Sequence, residues 1–353
     1  MLKGLSRHLV KRAIFLMATL IIATYATVLI ANLGGYIDHI LRQQIEFEVS
    51  QYLARNPSFK ELPPEEQEKF RIQLIEQRIK AAGLDKPFII RSFIYLKQAL
   101  TLDLGRAMHI KSAAGSSRVR DIIFERLPWS VLLFTTGTIL EAAIGIVIGI
   151  YMAKSALSKF DRLMTIFSII SYSSPPWFYG IIAILLFSFQ LRVFPPGGLV
   201  SRPHESLITF IPDLLHHLAL PLIVWVFSFF GYWAYITRNL VIETLHQDFV
   251  MAARAKGVPE NIITRRYVLR PAAPPIITMV ALALIASWTG AIITETVFGW
   301  PGLGRLYYMA IWSMDAPVLI GLTVMYAYLL VLTVFILDIL YAILDPRVRI
   351  PGG

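Results

Sequence analysis

Residues 13–37 read AIFLMATLIIATYATVLIANLGGYI, 25 positions without one Asp, Glu, Lys or Arg. A helix needs about 20 apolar residues, at about 1.5 Å each, to cross a hydrocarbon core. Four further uncharged runs follow, at 163–191, 214–237, 271–294 and 316–337. A fifth, 127–153, is interrupted only by Glu141. Runs of this length exceed what a buried soluble helix shows. The reading is an all-α integral membrane protein with six transmembrane helices.

Composition agrees. Of 353 residues, 56% are hydrophobic and 16% charged, against about 25% charged in soluble chains. An ordinary soluble enzyme and a disordered chain are both excluded. There is no Cys, which removes disulfides, thiolate metal sites and thiol catalysis. The first run follows Lys3, Arg7, Lys11 and Arg12, as a signal peptide would. It outruns the usual h-region of about 7–15 residues and ends without a small-residue cleavage pattern, so it reads as a retained helix.

The formal charge of +10 sorts by segment. With the N-terminus in the cytoplasm, segments 1–12, 154–162, 238–270 and 338–353 lie inside and hold 15 Lys and Arg. The short outer segments hold only Arg192, Arg202 and Arg305. Basic residues in short loops favour the cytoplasmic side, so both termini are expected inside. Segment 38–126 is long and does not vote. The basic excess is then a topology signal, and no nucleic-acid partner is expected.

Two extramembrane stretches carry pattern. Between spans one and two, 63–82 places Ile72, Ile75 and Ile79 at helical spacing, with Pro63-Pro64 before and Gly83 after. Residues 87–101 form a second, aromatic helical stretch. This insertion either caps the first helix or offers a docking surface. Segment 238–270 contains Asp248 to Gly257, with small residues at Ala252, Ala253 and Ala255, a Gly stop, and a new helix start at Val258-Pro259-Glu260. It is either a plain helix–turn–helix loop or a short helix whose small side chains permit close approach to a partner.

These residues carry a resemblance. Ala252, Ala253 and Gly257 keep the spacing of the E-A-A-x-x-x-G loop of ABC importer permeases, and Ala253-Arg254-Ala255-Lys256-Gly257 resembles its peptide/nickel subfamily. Glu295-Thr-Val-Phe-Gly-Trp-Pro-Gly-Leu-Gly-Arg305 is specific to that subfamily. Gly83 to Pro87, Asp103 to Gly105, Glu125 to Pro128, Ser174-Pro175 with Trp177-Phe178, Asp213 to Pro221, and Asp345 to Arg347 match in order. The likeness covers about 8–349 and is to the B-type permease of dipeptide and oligopeptide importers. Two positions depart from the pattern: Met251 stands at the motif Glu, and Tyr267 where a His is common.

The resemblance implies a type I ABC importer permease fold. Residues 1–37 would form the N-terminus and first helix, 38–126 an extracytoplasmic helical "scoop", and 127–353 a five-helix core with the cytoplasmic loop 238–270. It implies a second homologous permease, two ATP-binding subunits and an extracytoplasmic binding protein, within the inner or plasma membrane. ATP and magnesium would sit on the partners. This chain has no Gly-Lys pair, hence no phosphate loop. Asp248, Ala252, Ala253, Arg254, Ala255, Gly257 and Glu260 would form the ATPase-coupling loop. The cargo would be peptide, with oligosaccharide or nickel as alternatives.

Intramembrane acids are functional by default. Glu141 either lines the path and meets a substrate amine, or pairs within the bundle or is protonated there. Glu295 is a candidate gate residue or a tie to the loop 299–305. Pro175 and Pro176, with Trp177, break or bend their span, as a gate or as a simple kink. Gly145 and Gly149 permit close helix packing. His216-His217 belong to the outer interface, and no metal site is expected. Proton coupling through Glu141, as in a secondary transporter, is the rival reading; no inverted repeat accompanies it. An intramembrane enzyme lacks a catalytic constellation, and a non-transporting receptor leaves the coupling-loop match unexplained.

Overall fold

A computed structural model describes residues 2–32 and 35–344. The match at Asp345 to Arg347 lies outside the described residues. Within them the secondary structure is helical, apart from one isolated antiparallel bridge between Arg106 and Arg118.

In chain order the helices are α1 (Leu2–Asn32), α2 (Tyr36–Ala54), α3 (Pro57–Lys60), α4 (Pro64–Ala81) and α5 (Phe88–Leu100). Then come α6 (Val119–Lys154), α7 (Lys159–Ser173) and α8 (Pro176–Ala183), the last continued by a π-helical turn at Ile184–Gln190. Next are α9 (Leu207–Leu245), α10 (Asp248–Ala255) and α11 (Glu260–Ile262), followed by a π-helical segment at Ile263–Leu269. The last described helices are α12 (Arg270–Ala286), α13 (Ile292–Val297), α14 (Leu303–Trp312) and α15 (Ala316–Leu344).

Among the described residues, five helical stretches are long and apolar enough to cross a membrane: Leu9–Ala31, Val119–Lys154, Leu207–Leu245, Glu260–Thr289 and Ala316–Ile339. The sixth expected span is a broken pair, Lys159–Ser173 and Pro176–Gln190, bent by 95°. The cause is local. Ser174 and Pro175 are extended, because Pro restricts its own φ and disfavours helix in the residue before it. Pro176 then starts α8, where a missing N–H costs nothing. The Tyr179 hydroxyl donates to the Ile170 carbonyl and ties the two arms together. Ile14, Phe15, Ile22 and Ile30 on α1 stay exposed, as a lipid-facing surface requires.

The chain divides into two compact units. One comprises 11–125 and 309–331. There α2 and α5 are joined by Asp38, which accepts from Arg91 Nη2 at 2.6 Å and from the Tyr95 hydroxyl at 3.2 Å. Burial and the Asp38 charge push the Tyr95 phenol up to about 12. Tyr25 stacks on Phe93, with centroids 5.4 Å apart. Asp315 Oδ2 gathers the N–H groups of Met108, His109 and Ile110 at 2.8–3.1 Å. On α4, Ile75 and Ile79 are half-buried and Ile72 is exposed, so its apolar stripe is only partly covered.

The other unit comprises 126–308 with the described parts of 1–10 and 332–353. One of its cores gathers Leu133, Phe134, Leu220, Val224, Phe298 and Trp300. A second gathers Ala153, Val241, Val250, Ala253, Ile263 and Val268. Helices α6 and α9 approach at the two spaced glycines. A Cβ on Gly145 would lie 2.4 Å from Trp233 Cβ, and one on Gly149 2.5 Å from the Ala234 carbonyl oxygen. Small residues let membrane helices gain contact where no hydrophobic force drives them together.

Candidate functional site

Three clusters hold most of the residues singled out in the sequence; Pro175, Pro176 and Trp177 lie apart, at the break where α8 begins. The first is α10. Asp248 occupies its first turn, where a negative charge suits the helix N-terminus. Its C-terminus closes with a paired motif: Gly257 N–H donates to the Arg254 carbonyl at 2.9 Å, and Val258 N–H to the Ala253 carbonyl at 3.2 Å. Gly257 has φ +74, and a Cβ built there meets nothing within 4 Å. The backbone conformation, not crowding within this chain, calls for glycine.

The helix has two faces. Val250 and Ala253 are buried in the core with Val241, Ile263 and Val268. Phe249, Met251, Ala252, Arg254 and Ala255 are exposed. The alanine pair is therefore split: Ala253 seats α10 on its own bundle, and Ala252 faces outward. Arg254 Nε donates to Glu260 Oε1 at 2.7 Å and links α10 to α11. Both side chains are exposed, so the pair adds little stability.

The second cluster surrounds Glu295, which follows the span ending at Thr289 and is fully buried. Ser130 Oγ donates to Oε1 at 2.7 Å, and the Arg305 backbone N–H to Oε2 at 2.9 Å. The same Ser130 oxygen accepts from Leu303 N–H at 2.7 Å. A Cβ on Gly302 would fall 2.5 Å from Glu295 Oε2 and 2.4 Å from Ser130 Oγ. The loop thus folds down onto the carboxyl because Gly302 carries no side chain. Trp300 anchors the same loop, its indole N–H donating to the Trp129 carbonyl at 2.9 Å. Burial raises the Glu295 carboxyl to about 7, against the opposing pull of its hydrogen bonds from Arg305 and Ser130. This geometry makes Glu295 a tie between α6, α13 and the first turn of α14.

The third is Glu141 on α6. It is 5% exposed and lines a cavity of about 290 Å³ with Tyr172, Trp225, Phe229, Tyr232 and Trp233. Trp233 Nε1–H donates to Oε1 at 3.3 Å. Pro175, Pro176, Trp177 and Glu295 are not on this wall. The structure therefore separates the candidate path residues into three places: the helix break, the loop tie and the cavity.

Sequence reasoning passed over several residues that hold these places. Arg238 and Asp161 form a two-pronged ion pair between α9 and α7. Ser130 is one serine among many in an apolar run. Asp213 accepts from Ser201 N–H at 2.7 Å and is paired with His204 Nε2 at 2.8 Å and His217 Nδ1 at 3.1 Å. His216 reaches the Val193 carbonyl at 2.9 Å. Each of the two adjacent histidines is thus occupied by its own partner. Only the HH and Asp213–Pro221 patterns hinted at this group.

Residues 145–350 match the family model described as a binding-protein-dependent transport system inner membrane component. The oligopeptide transport system permease protein AppB of Bacillus subtilis is 35% identical, over 78% of this chain and 84% of its own length. The probable D,D-dipeptide transport system permease protein DdpB of Escherichia coli is 31% identical, over 79% of this chain and 86% of its own. The chain is a multi-pass membrane protein and belongs to the family of binding-protein-dependent transport system inner membrane components, within its peptide permeases.

Proposed function

We propose that this chain forms half of the translocation path of an ATP-driven peptide importer. A second homologous permease supplies the other half, two ATP-binding subunits supply the energy, and an extracytoplasmic binding protein delivers the peptide. Catalysis of ATP hydrolysis, with its magnesium, belongs to the partners. Both termini and the 238–270 loop face the cytoplasm in this reading, and the 38–126 segment faces the binding protein.

The observation that carries the reading is the two-faced α10. Its buried face, Val250 and Ala253, fixes it rigidly to the bundle. Its outer face presents Phe249 and Met251, 44% and 53% exposed, beside the small Ala252 and Ala255. A rigid short helix with an apolar outer face is suited to seat in a groove of a soluble subunit and act as a lever. Closure of the ATPase pair would move α10 and, through the shared core, the adjoining ends of α6, α9 and α12. The cycle is then a rigid-body exchange between inward- and outward-open packings. The peptide and dipeptide permeases among the relatives support the cargo.

The absence of native Cys makes single-cysteine mapping direct. Ala252→Cys should crosslink to a cysteine placed in that groove of an ATPase subunit, both at rest and with ATP hydrolysis arrested, because a lever stays seated as it moves. Vesicles holding the assembled importer should take up a labelled oligopeptide only with ATP, binding protein and no vanadate. Uptake that persists with vanadate, driven by a proton gradient, would replace this reading with secondary transport.

A further inference from the structure

We propose that the turn 101–106, with the ends of α1 and α5 and the start of α15, binds one phospholipid whose headgroup carries a primary ammonium, a phosphatidylethanolamine. The proposal rests on the membrane-spanning fold and not on the cargo. Every residue of the site belongs to the unit formed by 11–125 and 309–331.

The site has an apolar part and a charged part that share a wall. The apolar part is a slot of about 120 Å³, lined by Val28, Leu41, Leu104, Pro317, Ile320 and Val324. Val28 lies near the end of the span Leu9–Ala31, and Pro317 to Val324 open the span Ala316–Ile339. At about 1.5 Å per residue, the slot reaches about 12 Å below the start of that span. Acyl chains occupy this depth. An apolar cavity of about 150 Å³ takes up benzene, so the slot has room for a short length of hydrocarbon.

Asp103, Leu104, Gly105 and Arg106 line the slot and also the charged part, a basin of about 700 Å³ that Arg118, Arg120 and Asp121 complete. A Cβ on Gly105 would meet nothing within 4 Å, so the space beside this shared wall is clear.

The charges of the basin select the headgroup. Arg106 and Arg118 oppose each other in the isolated antiparallel bridge. Like charges directly opposite on paired strands repel. Backbone bonds hold them there: Ala107 N–H donates to the Ser117 carbonyl at 2.7 Å, and Val119 N–H to the Gly105 carbonyl at 3.0 Å. Glu48 stands 3.6 Å from Arg106, whose side chain stays 54% exposed, too loose a pair to neutralise both arginines. A phosphate between the two guanidiniums relieves the repulsion and accepts charge-assisted hydrogen bonds. Asp103 and Asp121 would repel a headgroup that is only anionic. They suit a cation a few bonds from the phosphate, and a primary ammonium has three N–H donors to offer them. A quaternary ammonium has none.

The turn has a local cause. Leu102 and Gly105 both have positive φ, 55 and 73. Leucine is uncommon in that region, and such strain gathers at functional sites. The two reversals fold the chain so that four successive residues, 103–106, line both parts.

The test photolabels the purified full chain in detergent micelles with a phosphatidylethanolamine that carries a diazirine on its acyl chain. Mass spectrometry maps the label. It should concentrate on 98–104 and 317–324, above its level on the exposed Ile14 and Ile22 of α1. Unlabelled phosphatidylethanolamine should displace it at about a third of the mole fraction that phosphatidylcholine or phosphatidylglycerol requires, the scale of one exposed charge pair. Ile320→Trp should fill the slot and clear the label from 98–104, while label on Ile14 and Ile22 stays. Ile320→Val should keep the slot label, and equal melting temperatures check that the variants are folded. Asp103→Asn should abolish the preference for ethanolamine over choline, and Arg118→Gln should weaken all three lipids alike. Even labelling of the slot and the α1 face would mean boundary lipid only and overturns the proposal. So does phosphatidylglycerol as the best competitor, a preference that survives in Asp103→Asn, or slot label untouched by Ile320→Trp.

Discussion

Arg238 on α9 grips Asp161 on α7 through both carboxylate oxygens, Nε to Oδ1 at 2.5 Å and Nη2 to Oδ2 at 2.8 Å. The Asp161 side chain is only 2% exposed and also accepts the Leu157 N–H at 2.9 Å. One carboxylate therefore fixes the α6–α7 turn, the start of α7 and the far end of α9. Removing one partner of a buried pair strands the other. Arg238→Ala should destabilise the protein by about 3–5 kcal/mol. Arg238→Lys should fall between, because an ammonium cannot make the parallel two-pronged contact. Thermal unfolding in detergent, ranking native, Lys and Ala in that order, checks this.

That pair also marks the limit of sequence reading. The spans were legible because hydrocarbon demands about 20 apolar residues in a row, a constraint that needs no partner. The break at Pro175-Pro176 and the stop at Gly257 were legible for the same reason, since backbone sterics act locally. Asp161 and Arg238 lie 77 positions apart, and Ser130 and Glu295 165. Nothing in either neighbourhood names the other. Helix α2 carries a weak, mixed pattern and was not anticipated. The π-helical segments at 184–190 and 263–269 also left no periodic signal.

Gly257 gives a prediction about conformation. Its φ of +74 sits in the left-handed region, with open space where a side chain would go. Gly257→Asn should be nearly tolerated, and Gly257→Ala should cost about 1 kcal/mol. Gly257→Val should distort the α10 terminus and lower ATP-coupled uptake. Gly257→Trp should uncouple transport while membrane insertion persists; normal uptake by that variant would remove the coupling role of this turn.

Ser130 gives a prediction about hydrogen bonds. Its hydroxyl donates to Glu295 and accepts from Leu303 N–H in a fully buried place. Ser130→Ala leaves both without this partner and should cost about 1–3 kcal/mol. Chemical denaturation of the purified protein would read the loss, and Ser130→Thr should restore less than the native residue because the loop packs so closely over Ser130 that even a Cβ on Gly302 would fall 2.4 Å from Oγ.

Glu295 adds a pH dependence. Its carboxyl is raised from 4.5 to about 7 by burial. The folded state therefore holds this proton more tightly than the unfolded chain. Its contribution to stability is fully present below about 4.5 and is lost as pH rises through about 7. Glu295→Gln should flatten that part of the stability profile. Melting temperatures from pH 5 to 8, native against Gln, would show whether the slope belongs to this residue; parallel profiles would assign it elsewhere.

Gly149 tests how the two longest helices meet. A Cβ there would stand 2.5 Å from the Ala234 carbonyl oxygen and 2.7 Å from Thr237 Cβ. Backbone cannot yield as a side-chain tip can, so α9 must shift. Gly149→Ala should cost about 1–3 kcal/mol by overpacking, despite the better helix propensity of Ala. Gly145→Ala presses on Trp233 Cβ at 2.4 Å and the Phe230 carbonyl at 2.5 Å. It should also draw the Trp233 indole away from Glu141, because the two contacts lie one helical turn apart on the same face. Tryptophan emission should then shift in Gly145→Ala and hold steady in Gly149→Ala at matched temperature below melting. Equal shifts in both would mean that α9 moves as one rigid rod and that the Glu141 contact has no separate dependence on Gly145.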